Sequence, residues 1–288
     1  MTLHHHASDG ISINVLLREL SEGYRACLTD QALGWQPLTV QYSDWAAWQQ
    51  LTLEHHLHDQ VSRAKLRLQS APELIALPLD FPRTTNRSRR AGYLPFKLSQ
   101  ALTAALQAQA KSQDTTMFVV LFAGLSAMLA RLTRQNDIVI GSPVSGRTRA
   151  ETDQLVGFMV NTLALPICVS EQDSAQQIID RARVSVEAAL EDQDLPFDRL
   201  VEELNVSRSL SHTPVFQVML AYQDLGTEAL ALEGLTCHTL PVNLPVAKFD
   251  LTLGIGLNAS GELEGSLEFD ATLFEAARVE GWSQALVS

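Results

Sequence analysis

The amino-acid sequence predicts a mixed α/β fold, described either as α/β or as α+β with a largely mixed sheet. Three observations favour this class. Apolar residues recur at helical spacing in several long segments. Short runs rich in β-branched residues lie between these segments and are typical of buried strands. The two patterns interleave along the chain, as they do when helices cover a sheet.

The first ninety residues contain mainly helical patterns. Residues 1–6 predict the end of a strand that runs into a turn at Ser8-Asp9-Gly10. A helix is expected next, because apolar residues recur at helical spacing from residue 13 to residue 24. Residues 45–68 predict one or two more amphipathic helices. Three prolines after them predict a loop that reaches about Gly92.

The remainder of the chain alternates between the two patterns. Strands are predicted at residues 93–98, 137–143, 163–169, 215–222, 235–240, 249–257 and 263–269. Helices are predicted at residues 100–111, 115–132, 174–190 and 197–204, and from about 274 onward. Ser99, Asp114 or Thr115, and Asp173 or Ser174 are the candidate N-caps. The helix through residue 132 is apolar on nearly all sides, which indicates burial.

Composition excludes several classes of function. The chain has 288 residues and a formal net charge of −12, so a nucleic-acid partner is not expected. The longest apolar run is too short and too interrupted to cross a bilayer, and the start has no signal-peptide pattern, so no membrane association is expected. Cys27, Cys168 and Cys237 are widely spaced and odd in number, which fits a reducing compartment. The cytoplasm is the expected location.

A basic cluster stands out against the acidic background. It comprises Arg83, Arg87, Arg89 and Arg90. A run of this kind is most simply a solvated loop, and the alternative is an interaction patch.

The segment His4-His5-His6-Ala7-Ser8-Asp9-Gly10 is the strongest candidate for chemistry. On a strand, adjacent side chains point to opposite faces, so only one of His4 and His5 would face a given cleft. An imidazole titrates near neutrality and can move a proton. Asp9, in a turn that Gly10 permits, can orient backbone or a cation. Taken alone, however, three histidines beside a methionine also resemble the remnant of a purification tag.

Five further segments follow in order. They are residues 42–48 (YSDWAAW), 140–147 (IGSPVSGR), 156–162 (VGFMVNT), 192–198 (DQDLPFD) and 208–216 (RSLSHTPVF). With the histidine segment they resemble the later core motifs of nonribosomal peptide synthetase condensation domains, which run HHxxxDG, YxDFAxW, IGxPVxxR, VGxFVNT, HQDxPFE and RxxSRxPLF. Residues 248–251 (KFDL) also resemble that family. Each motif alone is weak, whereas six in the right order form a specific signal.

The resemblance implies two chloramphenicol acetyltransferase-like lobes, each an α+β two-layer sandwich, with an active-site tunnel between them. The histidine motif belongs late in the first lobe of the family, and here it begins at residue 4. We therefore expect residues 1–92 to be the end of a first lobe that is mostly missing, and residues 93–288 to be a complete second lobe. Apolar surface left uncovered in this way would favour self-association.

The resemblance also implies an acyltransferase-type enzyme. Family members join two building blocks that carrier proteins present as thioesters on phosphopantetheine arms. His5 matches the second histidine of the motif and takes the role of base or hydrogen-bonding orienter, beside His4, Asp9 and Gly10. Asp9 is expected to pair with Arg147, because a buried carboxylate needs a cationic partner. Gly10 is expected to leave room for the pantetheine arm.

No carrier motif, phosphate-binding loop or adenylation loop is present in the sequence, so neither a cofactor of its own nor a metal is expected. The expected partners are carrier proteins, adjacent synthetase modules or a first-lobe segment. The sequence around His5 resembles condensation domains that take L-configured donors. Two alternatives stay open: a catalytically inactive half-domain that docks carrier proteins, and an acyltransferase that uses free coenzyme A.

Overall fold

The computed structural model describes residues 2–206, 209–223, 230–238, 240 and 242–287. These residues form two compact units that interleave along the chain. Unit 1 comprises Met1–His58, Val144–Asn161 and Gly226–Val242, and unit 2 comprises Asp59–Pro143, Thr162–Leu225 and Asn243–Ser288. The boundary between a first and a second lobe, predicted at residue 92, rests on the family resemblance and stays a prediction.

A six-stranded mixed sheet is the centre of unit 2. Its strands are β1 (Ala91–Lys97), β2 (Asp137–Val144), β3 (Asn161–Cys168), β4 (Val218–Tyr222), β5 (Leu251–Leu257) and β6 (Leu263–Asp270). They lie in the order β1-β6-β5-β4-β2-β3. Strand β6 pairs antiparallel with β1 and β5, whereas β4 pairs parallel with β2 and β5. The mixed α/β class predicted from the sequence is therefore confirmed.

The register of the sheet places apolar side chains in one buried row. Leu220 is the partner of Leu253, and Leu253 is the partner of Leu267. All three side chains are fully buried. Because burial of a leucine contributes about 1.5–3 kcal/mol relative to exposure, this row is a main source of stability for the sheet.

Five helices accompany the sheet: α3 (Gln100–Ser112), α4 (Met117–Thr133), α5 (Ala175–Leu190), α6 (Phe197–Leu204) and α7 (Ala276–Val287). Helix α4 contacts α3, α5 and α7, which explains its nearly all-round apolar surface. The predicted N-cap Ser99 accepts a hydrogen bond from the Leu102 amide, and Ser174 forms a capping box with Gln177. Helix α4 begins later than predicted, because Thr116 is its N-cap.

Among the described helices, none is by itself long and apolar enough to cross a membrane. Helices α3 and α4 would pass that test only as a pair, and they are bent by 107° relative to each other.

Unit 1 contains α1 (Gly10–Thr29) and the first part of α2 (Tyr42–Arg67), which is one continuous helix where one or two were predicted. Its small core consists of Trp45, Leu155 and Met159. The guanidinium of Arg149 lies 4.4 Å from the centre of the Trp48 ring, so a cation–π contact extends this core to the surface.

Three of the predicted strands differ from the structure. Residues 2–4 are irregular and a 3₁₀ turn follows at His5–Ala7. The strand predicted over residues 1–6 is therefore wrong for residues 2–6, which the structure describes. Residues 235–238 and 240 form no strand, because their apolar side chains are exposed and have no buried face to pack on; Thr239 lies outside the described residues. Strand β4 begins at Val218 because Val215 has a φ of 69°, which extended backbone does not allow.

The basic cluster is not a solvated loop at its first two positions. The Arg83 and Arg87 side chains are 10% and 5% exposed, and they pair with Asp250, which is 4% exposed. Arg87 also lies 3.2 Å from Asp270. Charge–charge pairing therefore brings these arginines inside unit 2, and burial lowers the pKa of Arg87 while the two carboxylates oppose that shift.

Candidate active site

The histidine segment forms a short turn in which each ring has a distinct contact. His5 begins the 3₁₀ turn, and its Nδ1 lies 2.8 Å from the carbonyl oxygen of Ser8. A carbonyl oxygen only accepts hydrogen bonds, so Nδ1 carries the proton in the neutral ring. Nε2 is then left with the lone pair, which is the form that can take up a proton.

His4 and His6 make a separate pair. Their rings stack with centroids 4.7 Å apart, and the two Nδ1 atoms are 3.0 Å apart. The Nδ1 of His4 also accepts a hydrogen bond from the His6 amide. The prediction that His4 and His5 alternate on a strand is therefore wrong, because the turn changes the direction of successive side chains. Both His4 and His5 are exposed.

Asp9 is the N-cap of α1 and is buried. Its Oδ1 accepts hydrogen bonds from the Ser12 amide at 2.8 Å and the Ser12 hydroxyl at 2.7 Å, and its Oδ2 accepts one from the Met159 amide at 3.1 Å. Burial raises the pKa of Asp9, but these bonds and one from Arg147 outweigh burial, so the pKa lies below its ordinary value. The carboxylate is thus charged and fully engaged.

Arg147 is the cation that faces Asp9. Its Nη2 lies 3.0 Å from Asp9 Oδ1, and the side chain is 2% exposed. Its Nη1 donates to the carbonyl oxygens of Leu155, at 2.9 Å, and of Thr152. The predicted contact between Asp9 and Arg147 is present. The planar guanidinium joins the start of α1 to the loop over residues 152–159, because its two terminal nitrogens face different partners.

Ser12 is a member of this network that the sequence did not single out. Its hydroxyl lies 2.9 Å from the Gly157 carbonyl oxygen, 3.0 Å from the Gly157 nitrogen and 3.0 Å from Arg147 Nη2. The available signal was its position three residues after an N-capping aspartate, where a helix amide is capped. Its tertiary partner lies 145 residues away.

Tyr42 completes the anchoring of the same loop. Its hydroxyl donates to the Phe158 carbonyl oxygen at 2.8 Å. Burial raises the pKa of Tyr42, and the negative charge of Asp9 raises it further. The hydroxyl therefore keeps its proton and remains a donor.

The family model described as "Condensation domain" matches residues 1–288. This chain belongs to the condensation domain family. The membership predicted from the six motifs is confirmed, and with it the link to nonribosomal peptide synthetases.

Two curated relatives illustrate the similarity. The domain is 38% identical over 281 residues to malpinin synthetase of Mortierella alpina, which covers 97% of this chain and 4% of the synthetase. It is 39% identical over 296 residues to phosphinothricin tripeptide synthetase PhsB of Streptomyces viridochromogenes, which covers 100% of this chain and 24% of that protein. The domain thus spans a small part of the curated relatives it matches.

Solved structures share the fold. The X-domain from teicoplanin biosynthesis has a TM-score of 0.88 at 26% identity, and the match covers 99% of this chain and 66% of that one. The four-domain nonribosomal peptide synthetase holo-AB3403 gives the same TM-score and identity, with 22% of its chain covered. Condensation domains of these synthetases act on phosphopantetheine-tethered substrates and need no cofactor of their own.

The structure refines the expectations for other site residues. Gly10 is the first residue of α1 and its φ lies outside the left-handed region, so no tight turn requires a glycine there. A Cβ at this position would meet no atom within 4 Å, which leaves open space beside the histidine turn.

Arg208, the first residue of the last motif, lies outside the described residues. Within the described residues, no group of three or more His, Cys, Asp or Glu side chains could hold a metal ion.

Proposed function

We propose that this condensation domain forms an amide bond between two building blocks that carrier proteins hold as thioesters. The acceptor amine attacks the donor thioester carbonyl carbon, the new C–N bond forms and the C–S bond breaks. The amine nitrogen loses a proton, and the donor arm leaves as a free thiol. Both substrates are tethered, so holding them together supplies much of the rate.

The observation that carries this proposal is the hydrogen bond between His5 Nδ1 and the Ser8 carbonyl oxygen. It leaves Nε2 as the acceptor on an exposed ring, which an amine proton can reach. We assign His5 the role of accepting or orienting that proton. His4 belongs to the same motif, but its ring contacts His6, so we assign it a supporting role in the turn.

Asp9 and Arg147 are proposed to hold the turn in place and to take no part in proton transfer. Both are buried, and their polar atoms face one another and the backbone of residues 152–159. Gly10 is proposed to leave room for a pantetheine arm, since the position its side chain would occupy is open.

The proposed partners are carrier protein domains and neighbouring synthetase modules, because the curated relatives that this chain matches are much longer synthetases. We propose the cytoplasm as the location. The three cysteines are free and exposed, which fits a reducing compartment.

An inactive docking module is the second hypothesis. The comparisons do not favour it, since the family match covers the whole chain and the relatives are peptide synthetases. The order of the later motifs argues against the free coenzyme A alternative. The L-donor subtype rests on the sequence around His5 alone and stays a prediction.

The test is a condensation assay with donor and acceptor carrier proteins, run on this chain and on a form extended upstream. His5→Ala is expected to lower the rate by about 10²–10⁴-fold, as loss of a general base does. His56→Ala is the matched control, because His56 is an exposed histidine on α2. An unchanged rate in His5→Ala would overturn the assignment, and no amide product from either form would favour the docking module.

A further inference from the structure

We infer that Phe158 is a positioning residue that sets the orientation of the His5 ring. The two rings meet edge to face, with centroids 4.9 Å apart and an interplanar angle of 88°. This arrangement suits the quadrupoles of two aromatic rings and contributes about 0.5–1.5 kcal/mol beyond buried area. The inference rests on the proposed function in one respect, namely that His5 acts on the substrate amine.

Phe158 itself is held at a defined place by its backbone neighbours. The Gly157 amide donates to the Ser12 hydroxyl, and the Met159 amide donates to Asp9. The carbonyl oxygen of Phe158 accepts from Tyr42. Three consecutive residues are thus fixed through the main chain. This leaves the benzyl group as the part that projects against His5.

The His5 ring has two rotatable bonds and is exposed, so one contact does not hold it. The hydrogen bond from Nδ1 to the Ser8 carbonyl oxygen fixes the direction of one ring edge. The perpendicular contact with Phe158 restrains rotation about that edge. Together they hold Nε2 in one direction, which reduces the conformational entropy lost when substrates arrive.

The buried network around Asp9 thereby gains a mechanistic role. Asp9, Ser12 and Arg147 bond to one another, and Asp9 and Ser12 bond to the loop that carries Phe158. A displacement of about 1 Å in a reacting group can cost about 10²-fold in rate. Loss of the Phe158 ring is therefore expected to lower kcat with little change in KM, because the substrate contacts remain.

The decisive experiment is a double-mutant cycle in the carrier-protein assay. Phe158→Leu is expected to lower kcat about 10- to 100-fold in the wild-type background and less than about twofold in His5→Ala. Phe158→Tyr keeps the ring and is expected to retain most of the rate. Phe118→Leu, which removes a half-buried stacked phenylalanine from α4, is the control and is expected to leave kcat unchanged.

The outcomes separate the two ideas. Equal losses from Phe158→Leu in both backgrounds would overturn the positioning role and leave the role of His5 intact. No loss from His5→Ala alone would overturn the role of His5, and with it the positioning role of Phe158, while amide formation by the domain would stand. Circular dichroism checks the fold of each variant, and Phe158→Met serves as the second ring-less variant if the leucine variant unfolds.

A spectroscopic measurement tests the same inference without any substrate. Nitrogen chemical shifts of ¹⁵N-histidine-labelled protein report which ring nitrogen carries the proton, and His5→Ala identifies the His5 signals. In the neutral ring we expect the Nδ1-protonated tautomer of His5 in wild type and in Phe158→Tyr. In Phe158→Leu we expect a mixture of tautomers, because a ring without the Phe158 contact rotates away from the Ser8 carbonyl oxygen. An unchanged tautomer in Phe158→Leu would contradict the inference.

Discussion

The hydroxyl of Ser12 lies 3.0 Å from the backbone nitrogen of Gly157 and 2.9 Å from its carbonyl oxygen. One buried side chain therefore joins the N-terminus of α1 to a loop 145 residues later in the chain. The same hydroxyl contacts Asp9 and Arg147. Because Asp9 directly follows the histidine turn, the geometry of the turn depends on the hydrogen bonds of Ser12.

Ser12→Ala is expected to lower the free energy of unfolding by about 1–3 kcal/mol, because the Gly157 amide loses its buried acceptor. Ser126→Ala is the matched control. Ser126 is equally buried, but its hydroxyl donates to the Phe122 carbonyl within the same helix, α4, so we expect a loss below about 1 kcal/mol. Urea denaturation measures the free energy of unfolding of both variants. Equal losses in the two would contradict the role of Ser12.

A fall in pH is expected to lower the free energy of unfolding of the wild type more than that of the Asp9→Asn variant. The pKa of Asp9 is lowered in the folded protein, so its charged form stabilises the fold above the unfolded value of about 3.9, and this contribution disappears as the pH falls through the lower folded value. At pH 7 we expect Asp9→Asn to be the less stable protein by about 3–5 kcal/mol, since Arg147 is left buried without its counter-ion.

The pH dependence is checked by denaturation of both proteins at pH 7, pH 5 and pH 3. The difference in unfolding free energy between them is expected to stay constant from pH 7 to pH 5 and to narrow towards pH 3. Other carboxylates titrate in both proteins and cancel in this difference. A gap that is the same at pH 3 as at pH 7 would show that Asp9 is not ionised differently in the fold.

Asp250→Ala is expected to cost about 3–5 kcal/mol of unfolding free energy, because it leaves Arg83 and Arg87 buried with less compensating charge. Glu203→Ala is the control, since its ion pair with Lys65 is about half exposed and such pairs contribute about 0–1 kcal/mol. Thermal or urea unfolding measures both variants. If Asp250→Ala costs no more than Glu203→Ala, the buried cluster does not hold unit 2 together.

Gly146→Ala is expected to be strongly destabilising. Gly146 has a φ of 65°, and a Cβ there would fall well inside contact distance of the Met159 carbonyl oxygen. Gly261→Ala is the control that has backbone strain without a steric clash, because Gly261 has a φ of 74° but an added Cβ would meet no atom within 4 Å. We expect the free energy of unfolding to fall by about 1–2 kcal/mol in Gly261→Ala and by several kcal/mol more in Gly146→Ala. Similar melting temperatures would contradict the close approach.

Much of the fold could be predicted from local patterns. The helices over 100–112 and 175–190 begin at the serines that the sequence marked as caps, and β2, β3 and β6 lie where β-branched or apolar runs predicted them. Caps and periodicity act within a few residues, so the sequence contains their whole signal. The order β1-β6-β5-β4-β2-β3 carries no such signal, because strand pairing depends on partners as far apart as Ala91 and Asp270.

The sequence by itself determined which residues belong to the candidate site, since His5, Asp9 and Arg147 stand in ordered motifs, and it determined the family. Only the tertiary structure decided how they meet. It placed Ser12 and Phe158 beside them, stacked His4 on His6, and buried Arg83 and Arg87 against Asp250. The physical reason is that burial and charge pairing join segments distant along the chain, and their partners are set by packing and not by local spacing.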